Sequence, residues 1–153
     1  MQRWHSGKVQ WWTLREENLL ERVNTPFTAS RDEWAEAFMD LAKLIVEGFE
    51  TSLIREKLDE AKTPYGKDDR TIALLEKLMN KGDASGEPKK LEGLRTVQYL
   101  RSKLKGHVGG SEAKEIAQEA LTEHETFTNH FKHVCALVAD DLATVEQLFA
   151  AAR

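Results

Sequence analysis

The chain has 153 residues, 22 Lys and Arg against 26 Asp and Glu for a formal charge of -4, and one cysteine. That length suits a single domain that buries about 70% of its unfolded surface, so no disulfide framework is needed, and Cys135 in an apolar run fits a reducing, cytoplasmic compartment. The acidic balance argues against broad, sequence-blind nucleic-acid binding; no stretch approaches the ~20 apolar residues of a membrane span, and Met1 to Lys8 lacks the apolar run of a secretory leader.

Residues 1–28 hold three of the four tryptophans, Trp4, Trp11 and Trp12. They read as an arm or short helix packing on the body or offered to a partner, capped by Thr13 and Glu16, carrying Leu19, Leu20 and Val23, and ending at Asn24-Thr25-Pro26. The main body, 29–153, opens at a capping box, Ser30 to Glu33. Trp34, Phe38, Leu41, Ile45 and Phe49 then recur at helical spacing, with Gly48 placed to kink or divide the segment before Leu53, Ile54 and Leu58. Asp68 or Asp69 is the expected cap of the next helix, Ile72, Leu75 and Met79 its stripe, and Gly82 its end. After the loop 82–87, Pro88 suits a first helical position, and Leu91, Leu94, Val97, Leu100 and Leu104 carry a helix to Gly106.

From Ser111 to Arg153 there is neither glycine nor proline, and Ile116, Ala120, Phe127, Phe131, Val134, Val138, Val145 and Phe149 keep helical spacing. One long helix is expected there, with Asp140-Asp141 as its place to break. No strand-like alternation competes. The fold class is therefore all-α, a four- to five-helix bundle with a long C-terminal helix.

Charge is unevenly spread over this bundle. Between Lys89 and His107 stand Lys89, Lys90, Arg95, Arg101, Lys103 and Lys105 against Glu92 alone, and the following helix opens with Glu112, Glu115, Glu119, Glu123 and Glu125. Complementary pairing of the two helices accounts for this pattern. On the last helix, His130 and His133 are spaced to share a metal, but no carboxylate or cysteine is placed to complete the set, so neither metal nor cofactor is expected. His124 falls within the apolar stripe. No phosphate-binding glycine loop or serine elbow is present.

Arg101 is the residue out of place, because it falls near the middle of the apolar span of its helix. A charge there needs a partner: a carboxylate, helix carbonyls or a phosphate from outside. His107 lies six positions on and meets Arg101 only if the helix ends between them, which Gly106 allows. A histidine of ordinary pKa exchanges protons near neutrality, and an arginine fork matches phosphate oxygens, so the pair suits phosphodiester cleavage. The alternative is structural: Arg101 pairs with a neighbouring carboxylate such as Glu47 while His107 caps a helix end.

The run Arg101-Ser-Lys-Leu-Lys-Gly-His107 resembles the Arg-x4-6-His motif of the HEPN domains, and the context, Leu100-Arg101-Ser102 here and Val46-Glu47-Gly48-Phe49 upstream, is similar to helical domains appended to larger bacterial proteins. The resemblance covers roughly residues 34–149. It implies a homodimer whose two motifs meet, and a metal-independent ribonuclease of a defence or toxin system with RNA as substrate, or a non-catalytic dimerisation or interaction module. A larger parent protein or an antitoxin is the implied further partner. On this resemblance Arg101, Ser102 and His107 are the candidate catalytic residues, with Lys103 and Lys105 binding substrate. Ser102 stands where active members often carry Asn, Asp or His.

Overall fold

The computed structural model describes residues 8–81, 86–105 and 110–150. Helices dominate them: α1 (Leu19–Arg22), α2 (Arg31–Ile45), α3 (Thr51–Glu60), α4 (Thr71–Met79), α5 (Glu92–Leu104), α6 (Ser111–His124) and α7 (Phe127–Ala150). The protein is an all-α bundle. No described helix is long and apolar enough to cross a membrane.

α5 and α7 form the centre of the bundle, with α2 against both, α4 beside α7, and α3 on α4. α7 buries Phe127, Phe131, Val134, Val138, Val145 and Phe149, and α5 buries Leu94, Val97, Leu100 and Leu104. Both series keep three- or four-residue steps, with Asp141 taking the step between Val138 and Val145, so each helix offers one buried stripe and the two stripes close on one another. α2 adds Trp34, Phe38, Leu41, Ala42 and Ile45 to the same core.

The first described residues depart from the sequence reading. Lys8–Val9 (β1) and Trp12–Thr13 (β2) pair as a minimal antiparallel hairpin, and the helix that Thr13 and Glu16 were expected to cap is the single turn α1, whose N-cap Asn18 makes no side-chain cap. Tertiary contacts explain the hairpin. The Trp12 indole donates to the Leu44 carbonyl at 3.0 Å, Thr13 N–H to Gly48 O, and Glu50 N–H to Trp11 O. Trp11 stacks on Phe49 and Phe149. Gly48 separates α2 from α3 and leaves room for that indole: a Cβ there would lie 2.1 Å from Trp12 Nε1.

Four further expectations are corrected. Pro88 precedes α5 by four residues, because the helix begins at Glu92 with Leu91 as its N-cap. Neither Asp68 nor Asp69 caps α4; the N-cap is Arg70, and Asp69 instead accepts from Gly66 N–H and Lys77. The expected C-terminal helix is two helices, broken at Glu125–Thr126, where Glu125 has φ 70°, Thr126 Oγ1 accepts from Asn129 N–H, and the Asn129 amide donates to His124 O. α7 runs unbroken through Asp140-Asp141. Gly82 lies outside the described residues.

Asp141 has a different task. It is 9% exposed within the apolar stripe of α7, and its carboxylate accepts from Leu94 N–H at 2.8 Å and from Gly93 N–H. Glu76 of α4, 8% exposed, accepts from Leu91 N–H at 2.8 Å. Two carboxylates from other helices therefore satisfy the amides at the start of α5, which has no local side-chain cap. Burial pushes the Asp141 carboxyl up, while the two amide bonds oppose it. Asp141→Ala is expected to cost about 2 kcal/mol in urea unfolding, since it orphans two buried N–H groups. A loss under about 0.5 kcal/mol would show that water takes over both amides.

Candidate functional site

α5 turns its apolar stripe to α7 and α2, and at three-residue steps along its flank stand Arg95, Gln98 and Arg101. They face the residues that follow α2, Val46 and Glu47, and the start of α4. Together these enclose a cleft of about 380 Å³, with Arg70, Thr71, Ile72 and Ala73 forming the opposing wall.

Arg101 answers its burial problem locally. Its guanidinium pairs with the Glu47 carboxylate; the side chains are 21% and 42% exposed respectively. With Glu47 partly exposed to solvent, such a pair contributes about 1 kcal/mol, so Glu47 satisfies Arg101 without locking it. Arg95 is held more firmly. Its Nε donates to Glu76 Oε2 at 2.7 Å and its Nη2 to Oε1, a two-pronged contact. Burial alone would raise the Glu76 carboxyl, but the Arg95 fork and Leu91 N–H hold it below the usual carboxylate range.

The opposing wall carries unspent donors. Arg70 sits extended at the N-cap of α4 without a side-chain cap, and the first helical bond comes from Leu74 N–H to Arg70 O. The N–H groups of Thr71, Ile72 and Ala73 therefore have no acceptor among the described residues. The Arg70 guanidinium makes no ion pair with a described residue either. On the α5 side, Gln98 Oε1 is buried and has no hydrogen-bond partner among the described residues.

Arg101 thus lines the cleft, whereas the neighbouring candidates point elsewhere. The Ser102 hydroxyl donates to Tyr99 O at 2.8 Å on the exposed side of α5. Lys103 pairs with Glu112 of α6 at 2.9 Å, a bond that raises its pKa, and this is the charge complementarity expected between the two helices. Lys105 is exposed at the C-cap. Gly106 and His107 lie outside the described residues. Arg70 and Gln98 were missed as site residues; the three-residue register of Arg95, Gln98 and Arg101 was the one signal available.

A second group of titratable side chains lies away from this cleft. His124, at the end of α6, stands with its ring centroid 5.2 Å from His130 and 4.7 Å from His133. His130 Nδ1 accepts from Trp34 Nε1 at 3.0 Å, which places the proton of the neutral ring on Nε2. Burial, then the adjacent His124 and His133, lower its pKa to about 4. Among the described residues no group of three or more His, Cys, Asp or Glu is placed to hold a metal ion. No protein-family model, curated protein or solved structure matches this chain.

Proposed function

We propose that the chain is a HEPN-like helical domain that cleaves RNA without a metal, acting as a homodimer with Arg101 and His107 as its reacting groups. The observation supporting this reading is the position of Arg101: a largely buried arginine side chain on the wall of an open cleft, whose one ion-pair partner among the described residues is the partly exposed Glu47 carboxylate. An incoming phosphodiester displaces Glu47 at little cost, and the guanidinium then stabilises charge growing on the phosphorane. His107 takes the proton of the 2′-hydroxyl as that oxygen attacks phosphorus. The bond to the 5′ oxygen breaks, and an imidazolium returns a proton to the leaving oxygen, giving a cyclic phosphate and a 5′-hydroxyl end. The dimer divides the two proton transfers between two copies of His107.

A second reading, a non-catalytic dimerisation or interaction module of a larger protein or antitoxin pair, is favoured by the same Arg101–Glu47 contact and by Ser102 bonding back to its own helix. A labelled RNA incubated with the purified chain in EDTA separates them. Cleavage that falls at least 100-fold in both Arg101→Ala and His107→Ala supports the enzyme, since loss of one charge stabiliser or general base costs about that much. Activity that survives both substitutions overturns this mechanism. No cleavage by the wild type, with Arg101→Ala lowering the melting temperature, favours the module.

A further inference from the structure

We propose that Phe27 and the two clefts beside it dock a basic segment of a partner protein, one that carries an apolar side chain between lysines or arginines. The surface lies at the start of α2, whereas the Arg101 cleft lies past its end, on the order of 20 Å away along the helix. It neither uses nor depends on RNA cleavage.

Phe27 stands apart from the other five phenylalanines, which are at most 6% exposed, in leaving 82% of its surface in water. Polar bonds on either side fix the backbone that carries it. The buried Pro26 offers its carbonyl to the Thr128 hydroxyl of α7, Phe27 N–H donates to Glu33 Oε1 at 2.7 Å, and the Thr28 hydroxyl donates to Glu33 Oε2. The ring is thus presented on a tethered segment, which lowers the ordering cost of binding.

Two clefts flank the ring. Ala29, Leu121 and Phe127 give the first, of about 380 Å³, an apolar lining, while Glu33, Glu36 and Asp40 line the second, of about 450 Å³. Glu125 adds a further carboxylate to the first. Arg22 is the single basic residue lining either cleft, and it is already shared between Glu16 and Asp40. Glu36 has no ion pair with a described residue.

Charge decides the occupant. A second copy docked about a two-fold axis would set these carboxylates against themselves, and they repel the phosphates of RNA in the same way. A basic segment with an apolar anchor meets both halves of the surface. The anchor packs on the Phe27 ring and into the apolar cleft, and the flanking cations face Glu36 and Asp40.

The test is panning of a random-peptide phage library on the full chain, with Phe27→Ser panned in parallel, followed by fluorescence anisotropy of the enriched peptides. Expected are peptides in which Lys or Arg flank a large apolar residue, binding with Kd below about 100 μM. Phe27→Ser should weaken them about tenfold or more, as loss of an anchoring aromatic does, and Glu36→Lys severalfold. Both side chains are exposed, so the melting temperature of either variant should match the wild type. High salt should weaken binding to the wild type. Enriched peptides without a basic bias, peptides that bind Phe27→Ser as well as the wild type, or a library that yields nothing beyond the Phe27→Ser background overturn the proposal. So does a wild-type dimer that Phe27→Ser dissociates in sedimentation equilibrium, because the occupant is then a second copy.

Discussion

Gly93→Ala is expected to lower the stability of the protein by about 2 to 3 kcal/mol, although alanine is the better helix former. Gly93 is buried in the first turn of α5, where that helix crosses α7. A Cβ built there lies 2.4 Å from Val138 N, 2.5 Å from Leu137 C and 2.7 Å from Leu137 O. All three atoms belong to the backbone of α7, so no side chain can swing aside. The propensity gain is at most about 1 kcal/mol and is smaller near a helix end. Overpacking therefore wins. The helices must separate, which also stretches the bonds from Gly93 and Leu94 to Asp141. In a domain of this size the melting temperature should fall by roughly 4–12 °C. Gly66→Ala is the internal comparison, since its nearest new contact is the Asp69 carboxylate at an ordinary 3.4 Å, and it should stay within about 0.5 kcal/mol of wild type. A Gly93→Ala protein as stable as wild type would mean that α5 and α7 do not approach so closely.

That crossing shows where sequence reasoning reaches its end. The helical stripes were legible because period-3.6 patterning is a local property of Phe127, Phe131 and Val134, or of Leu94, Val97 and Leu100. Half of the capping box at Ser30 was legible too. Its hydroxyl accepts from Glu33 N–H as the pattern implies, but the Glu33 carboxylate reaches past Ser30 to Phe27 N–H and the Thr28 hydroxyl. Asp140-Asp141 invited a break because two acidic residues in an apolar run look like punctuation. What makes Asp141 tolerable is the start of α5, 47 positions earlier, and no local pattern announces that partner. The true break depends on a non-glycine residue at positive φ, Glu125, which propensity disfavours and which the bonds of Thr126 and Asn129 stabilise.

The cleft divides in the same way. Arg101 was identifiable as a charge in need of a partner, and Glu47 was among the carboxylates named for it, because an apolar helical face constrains whatever polar group interrupts it. The opposite wall had no such signal. Asp68 and Asp69 promised a capped α4, and only the competing bonds of Asp69 to Lys77 and Gly66 leave that helix start open. An uncapped terminus is the outcome of a competition between tertiary contacts, and the winner is not written in the order of residues.

Acidification should expose the second titratable group. Because the folded pKa of His130 is lowered from 6.5 to about 4, the unfolded chain binds that proton more readily between these values. Stability therefore falls as pH drops from about 6.5 toward 4, and the loss is complete near the lower value. A shift of this size corresponds to roughly 3 kcal/mol. The cause is placement. The ring lies against Trp34 and Phe38 of α2, spends Nδ1 on the Trp34 indole, and has His124 of α6 and His133 of its own helix as titratable neighbours, with Glu123 beside His124. His130→Asn is the informative variant, because an amide oxygen can replace Nδ1 as acceptor for Trp34 while removing the titration. Urea unfolding of both proteins from pH 8 to 4 should show the wild type losing about 3 kcal/mol more than the variant, with the divergence beginning near pH 6.5. Glu33, Asp69 and Glu76, which hydrogen bonds hold low, lose their contributions as pH falls through their depressed values in both proteins, so they cancel in the difference. Parallel curves would mean that His130 protonates in the folded protein as easily as in the unfolded chain, and that the Trp34 contact does not hold it neutral.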